Sequence, residues 1–146
     1  MTAAVPDPAA EARRFNEEAP WGPFPRSLGL ELTSVAPDRV EGRLPVTEQF
    51  IAGTGVLWAP VILGLADALC AAGTGANLDF DGGEIFTTVE LKANFMGTAG
   101  PGQTITGVAT PVHRGRTTHV WDVTVTNEST GRTMTVFRCT QMVLRP

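Results

Sequence analysis

Between Glu48 and Asp79 the chain carries one charged side chain, Asp67, set inside the run Leu57-Trp-Ala-Pro-Val-Ile-Leu-Gly-Leu-Ala-Asp-Ala-Leu-Cys-Ala-Ala72. Leu57, Val61, Ile62, Leu65, Leu69 and Ala72 recur at helical spacing and share one face. Pro60 suits the first turn, where its missing N–H would have no partner in any case. Asp67 projects from the other side, yet its neighbours there are Leu63, Gly64, Cys70 and Ala71. A helix apolar all round is enclosed by other structure, and a carboxylate leaves water at a cost unless something compensates it. The chain therefore has to fold around this helix, cover its second face (a second subunit could do so) and find a use for the acid.

Leu57 to Ala76 has the length of a membrane span. A central Asp costs roughly 3 kcal/mol in that setting, and Pro60, Gly64 and Gly73 weaken the run further, so a buried helix is expected and no membrane partner. The 146 residues, 42% hydrophobic and 18% charged, suit one ordinary globular domain. A net charge of −4 without a basic stripe argues against nucleic acid. Cys70 and Cys139 are too few for a disulfide framework and read as reduced core thiols. The segment MTAAVPDPAAEARR has no apolar stretch and carries Asp7 and Glu11 early, unlike a secretory signal, so a cytoplasmic location is expected.

Residues 1–26 read as a tail and a short helix, and residues 27–146 as a single domain. Asp7-Pro8 opens the short helix, which ends near Ala19; PWGPFPRSLG is turn-rich and irregular. Strands follow near 28–36 and 39–46, hinged at Pro37-Asp38. The central helix is expected to give way to a loop from Gly73 to Gly83. Four long strands come next, about 84–97, 102–113, 116–127 and 132–144. In the first of these, Ile85, Thr87, Val89, Leu91, Ala93 and Phe95 alternate onto one face, opposite Thr88, Glu90, Lys92 and Asn94. The fold class is α+β: an antiparallel sheet wrapped around one long central helix.

The stretch GTGVLWAPVILGLADALCAAG resembles the central-helix motif of hotdog-fold acyl-CoA thioesterases of the phenylacetate-pathway (PaaI-type) group, and TTVELKANFMGTAGPGQTITGVATPVHRGRTTHVWDVTVTN resembles their next three strands. The resemblance covers roughly residues 27–144. It implies a hotdog fold and an acyl-CoA thioesterase in which the helix acid, here Asp67, is general base or nucleophile. It implies that the Ala59 N–H polarises the thioester carbonyl and that Thr88, with Thr87 adjacent, assists the acid. The nucleotide of CoA would lie near the hairpin carrying Arg114 and Arg116. Two departures stand out. Trp58-Ala59-Pro60 replaces the common His-Gly-Gly, and Ala52 replaces the Asn or Gln that precedes the helix, a role Gln49 could take.

The residues themselves add a geometric constraint. Ala59 and Asp67 lie about two turns, roughly 11 Å, apart on one helix, so one helix cannot bring both to the same carbonyl. A symmetric dimer, alone or in a dimer of dimers, could pair one subunit's Asp67 with the other's Ala59. Trp58 and Pro60 at the helix entrance would shape the acyl pocket, or Trp58 would plug a dimer core. Arg114 and Arg116 suit phosphate oxygens, or decorate a solvated hairpin tip. His113 and His119 lack companions at metal-ligand spacing, so no metal site is expected, and no cofactor beyond the coenzyme A of the substrate. Three other readings stay open: a non-catalytic hotdog that binds acyl-CoA or aromatic ligands, favoured by Ala52 and Trp58; a hotdog hydratase or dehydratase, which would need a histidine beside the acid; and a single-chain cup-shaped ligand-binding domain with a central helix, which a monomeric mass would favour.

Overall fold

The computed structural model describes residues 7–18 and 22–146. The tail at residues 1–6, the helix end near Ala19 and the start of the turn-rich stretch at Pro20-Trp21 lie outside the described residues. The elements run α1 (Pro8–Glu18), α2 (Pro23–Ser27), β1 (Glu31–Ala36), β2 (Arg39–Pro45), a 3-10 turn (Glu48–Phe50), α3 (Ala59–Gly75), β3 (Ile85–Phe95), β4 (Thr104–Arg114), β5 (Thr118–Asn127) and β6 (Arg132–Leu144). The six strands form one antiparallel sheet in the order β1-β2-β4-β5-β6-β3. Helix α3 packs against all six, which is the wrapped arrangement expected from an all-round apolar helix.

Leu65, Ala66, Leu69, Cys70 and Ala72 of α3 are fully buried together with Leu44, Ile105, Trp121, Val125 and Cys139 from the sheet. Close approach of helix to sheet depends on small residues. A Cβ at Gly107 would stand 2.5 Å from a Leu69 methyl, and one at Gly73 would stand 2.5 Å from the Trp121 ring. That second contact explains why α3 continues past the glycine expected to end it. Gly73 is the slot for a buried indole, whose Nε1–H donates to Thr74 Oγ1 at 3.0 Å, so the last turn is fixed by packing rather than by helix propensity.

Two further details differ from expectation. The segment after Gly22 forms the short helix α2 instead of an irregular stretch, with two prolines in its sequence PFPRS and Pro23 in its first turn. The β3 alternation is broken, because its register against β6 shifts between Thr88 and Glu90. Before this bulge Phe86 and Thr88 face inward; beyond it Ala93 packs on the core. The two sheet edges differ in their cover. At β1 the edge is covered by α1: the Asn16 amide donates to Leu32 O at 2.8 Å and accepts from Leu32 N at 2.9 Å, and Phe15 and Ala12 join the core. At β3 no element among the described residues covers the other edge, with Val89 50%, Leu91 42%, Phe95 43% and Met96 60% exposed.

Candidate active site

Asp67 sits on the flank of α3 that meets β3 and β6. The Thr88 hydroxyl donates to Asp67 Oδ1 at 3.0 Å, and the Cys139 thiol donates to the same oxygen at 3.6 Å. A hydrogen bond to a charged group is worth roughly 1.5–3 kcal/mol, so these two donors offset part of what half-burial of the carboxylate costs. Behind Thr88, the Gln141 amide Nε2 donates to Thr88 Oγ1 at 3.4 Å. Among the described residues, no donor reaches Oδ2 and Asp67 enters no salt bridge. The carboxylate borders a cavity of about 310 Å³ walled by Phe24, Pro25, Gly64, Phe86 and Thr87. Thr88 reaches the acid because it lies just before the β3 bulge, on the inward side with Phe86; Thr87 points outward to the rim.

Cys70, one turn beyond Asp67, is completely buried. Burial pushes its thiol well above the ordinary range, and contact with Cys139 and the charges of Asp67 and Asp122 push the same way. It remains a protonated core thiol, as the sequence suggested. Both cysteines are free.

A second cavity, about 470 Å³, opens at the N-terminus of α3, lined by Ala52, Val56, Trp58, Ala59, Phe95 and Gly97. The Leu57 N–H is taken by Thr98 Oγ1 at 3.1 Å and the Trp58 N–H by Phe50 O at 2.9 Å. Among the described residues the Ala59 N–H, the first of the helix, has no acceptor. It can donate to an anionic oxygen, and the helix end favours negative charge there. Trp58 is 59% exposed and walls this cavity; Pro60 is exposed beside it.

The two cavities lie at opposite ends of β3, the acid at Phe86–Thr88 and the helix terminus at Phe95–Gly97. Within one chain, Asp67 and Thr88 are brought together; Ala59, Trp58 and Pro60 are brought together elsewhere. Gln49 is exposed on the 3-10 turn and lines neither cavity. Arg114 donates to Pro37 O at 3.0 Å and Asn77 Oδ1 at 3.2 Å, tying the β4 end to the β1–β2 turn and the end of α3. Arg116 is exposed on the hairpin, where its backbone carbonyl accepts from Arg145. Neither arginine lines either cavity.

Sequence reasoning passed over Gln141, Cys139 as a donor, and the α2 residues Phe24 and Pro25. Gln141 had a legible signal. It falls in the inward series Phe137, Cys139, Gln141, Val143, where a polar side chain needs a reason. Phe24 and Pro25 had none, since their place over the acid is set by how α2 docks on α3.

The thioesterase superfamily model matches residues 54–134. The chain is 32% identical to the 1,4-dihydroxy-2-naphthoyl-CoA hydrolase of Listeria monocytogenes over 78% of this chain and 89% of that protein. A mutant of a thioesterase enzyme from Staphylococcus aureus is similar in structure, with a TM-score of 0.77 and 27% identity, covering 83% of this chain and 97% of that one. The Escherichia coli PaaI protein from the phenylacetic acid degradation operon shares the fold, with a TM-score of 0.79 at 21% identity over 93% of this chain and 95% of that one. The matched segment holds α3, Asp67 and Thr88 together, and on this likeness the chain belongs to the thioesterase superfamily, a family of enzymes that hydrolyse thioesters.

Proposed function

We propose that the protein is an acyl-CoA thioesterase with Asp67 as general base or nucleophile, at a site shared between two copies of the chain. The observation that carries this reading is the Asp67 carboxylate itself. Oδ1 is held by Thr88 and Cys139, Oδ2 is unengaged among the described residues, and the group opens on a cavity with Phe24, Pro25 and Phe86 in its walls. In the general-base route Asp67 takes a proton from water as the water oxygen bonds to the thioester carbon. The carbonyl becomes an oxyanion received by an Ala59 N–H. Collapse breaks the carbon–sulfur bond, and the thiolate leaves with the proton from Asp67. In the nucleophilic route the carboxylate bonds to the same carbon, the carbon–sulfur bond breaks and the thiolate leaves; water then cleaves the anhydride to the free acid and Asp67, and one proton of that water passes to the thiolate. A relative named as the hydrolase of an aromatic acyl-CoA supports a CoA ester as substrate.

The β3 edge, uncovered among the described residues, supports a shared site. Antiparallel pairing of two such edges about a two-fold axis near mid-strand would lay the Phe86–Thr88 end of one copy against the Phe95–Gly97 end of the other. One copy's Asp67 cavity would then adjoin its partner's Ala59 cavity. Val89, Leu91 and Phe95 would leave water in the process. Arg114 and Arg116 near this end are the proposed phosphate contacts, Arg114 through the guanidinium N–H groups that Pro37 and Asn77 leave free.

The test is thiol release from a panel of acyl-CoA esters by the native protein and by Asp67→Asn. Turnover is expected to fall by 10²-fold or more on the general scale for a lost base; undiminished turnover in the variant removes Asp67 from the chemistry. A second reading, a binder without turnover, is favoured by Ala52, which offers no side chain to hold water beside the helix terminus. Saturable binding of CoA esters with no thiol release by the native protein would establish it.

A further inference from the structure

Three residues from three adjacent strands form one line leading away from Asp67. Thr88 of β3 pairs with Gln141 of β6, and Gln141 pairs with His119 of β5. All three stand on the inner face; Gln141 is 0% and His119 4% exposed. The first links are hydrogen bonds, Gln141 Nε2 to Thr88 Oγ1 and Thr88 Oγ1 to Asp67 Oδ1. Further along, two buried polar atoms have no partner among the described residues: Gln141 Oε1 and His119 Nδ1.

We infer that Gln141 is a positioning residue that aims the Thr88 proton at Asp67, and that His119 senses the charge of the acid through it. The inference rests on the reading of Asp67 as the reacting group. A threonine hydroxyl has one proton and two lone pairs. With the Gln141 amide donating to one lone pair, the Thr88 rotor is fixed and its single proton goes to the carboxylate. Without that donor the hydroxyl turns freely and the Asp67 orientation loosens.

The unpaired atoms extend the line. A buried polar group without a partner is unfavourable, and here two such groups occupy neighbouring strands at one register position. Neutral His119, bound through the Gly115 backbone, has an acceptor at Nδ1, and its register partner Gln141 has an acceptor at Oε1. A proton on Nδ1 converts this mismatch into a donor and an acceptor. Desolvation holds the imidazole below its ordinary pKa, the Gly115 backbone opposes this, and the positive charges of Arg114, His113 and Arg145 reinforce it. Glu84, before β3, interacts with it from the acidic side. Helix α3 contributes one charge, Asp67, at the far end of the line.

A double-mutant cycle reads the positioning role. Gln141→Leu is expected to lower kcat roughly tenfold with KM unchanged, and to have no further effect in a Thr88→Val background, because Gln141 acts through that hydroxyl. A loss that adds in full to that of Thr88→Val overturns the role, as does native kcat in Gln141→Leu; Gln141→Met repeats the measurement should the leucine variant fold poorly. The sensing role is read by NMR titration of the two histidines, without reference to activity. In Asp67→Asn and in Gln141→Leu the His119 midpoint is expected to move lower. A His119 midpoint unmoved by Asp67→Asn overturns the sensing role even where that variant is inactive. Conversely, full turnover by Asp67→Asn defeats the reading of the acid, whatever the histidine midpoints do.

Discussion

Thr88 and Asp67 come from β3 and α3, and their side chains meet at 3.0 Å because a bulge separates Thr88 from the rest of its strand. The hydroxyl and the Cys139 thiol converge on one oxygen of the acid and leave the other to the cavity. If this orientation serves the reaction, Thr88→Val, which keeps the shape and deletes the hydroxyl, lowers kcat by about tenfold, in line with one hydrogen bond to a charged group. Thr88→Ser keeps most of the rate. Steady-state thioester hydrolysis checks both, and equal rates for native protein and the valine variant would remove the hydroxyl from the mechanism.

The open β3 edge makes a prediction about assembly. Leu91→Lys puts a charge at the middle of the proposed two-fold contact, where Leu91 is 42% exposed in the single chain. Sedimentation should then report the single-chain mass, with the far-ultraviolet circular dichroism unchanged and thioester hydrolysis lost, since Asp67 and Ala59 no longer meet. An active variant of native mass would place the shared site elsewhere.

Gly73 tests the helix–sheet approach. A methyl there would fall 2.5 Å from the buried Trp121 ring, which has no room to yield. Gly73→Ala is expected to lose roughly 1–3 kcal/mol of stability through overpacking, despite the better helix propensity of alanine. Urea unfolding measures it, and a stabilised variant would mean that the indole moves easily.

His119 gives the fold a pH dependence of definite sign. Burial lowers its pKa in the native state, so the unfolded chain binds this proton at higher pH than the native chain does. Stability therefore declines as pH falls from about 6.5, the unfolded value, and levels off below the lowered native value. Glu84 acts in a lower window. The Asp79 N–H at 2.9 Å and the Arg145 guanidinium at 2.6 Å hold its carboxyl below the usual range. Its contribution is present above the unfolded carboxyl pKa and disappears as pH falls through the native one. Denaturant melts between pH 5 and 8 should show native stability falling toward the acid end, with that part of the slope absent in His119→Phe; the same slope in both would clear the imidazole.

The sequence alone determined the wrapped fold and the identity of the acid. A run apolar on every side can only be a helix with structure around it, and Asp67 is the one charge within it. Thr88 was reached through family resemblance rather than through pattern, because strict alternation placed it opposite Leu91 and Ala93, and a bulge cannot be read from periodicity. Tertiary structure alone decided which atoms touch the acid. Cys139 and Gln141 lie far along the chain from Asp67, and Phe24 depends on how α2 docks, so each contact is a product of strand register and helix placement. Only the fold, too, shows that Asp67 and the Ala59 N–H stand at opposite ends of one edge strand. Local sequence sets which residues are buried; which buried residues become neighbours is settled when distant segments pack.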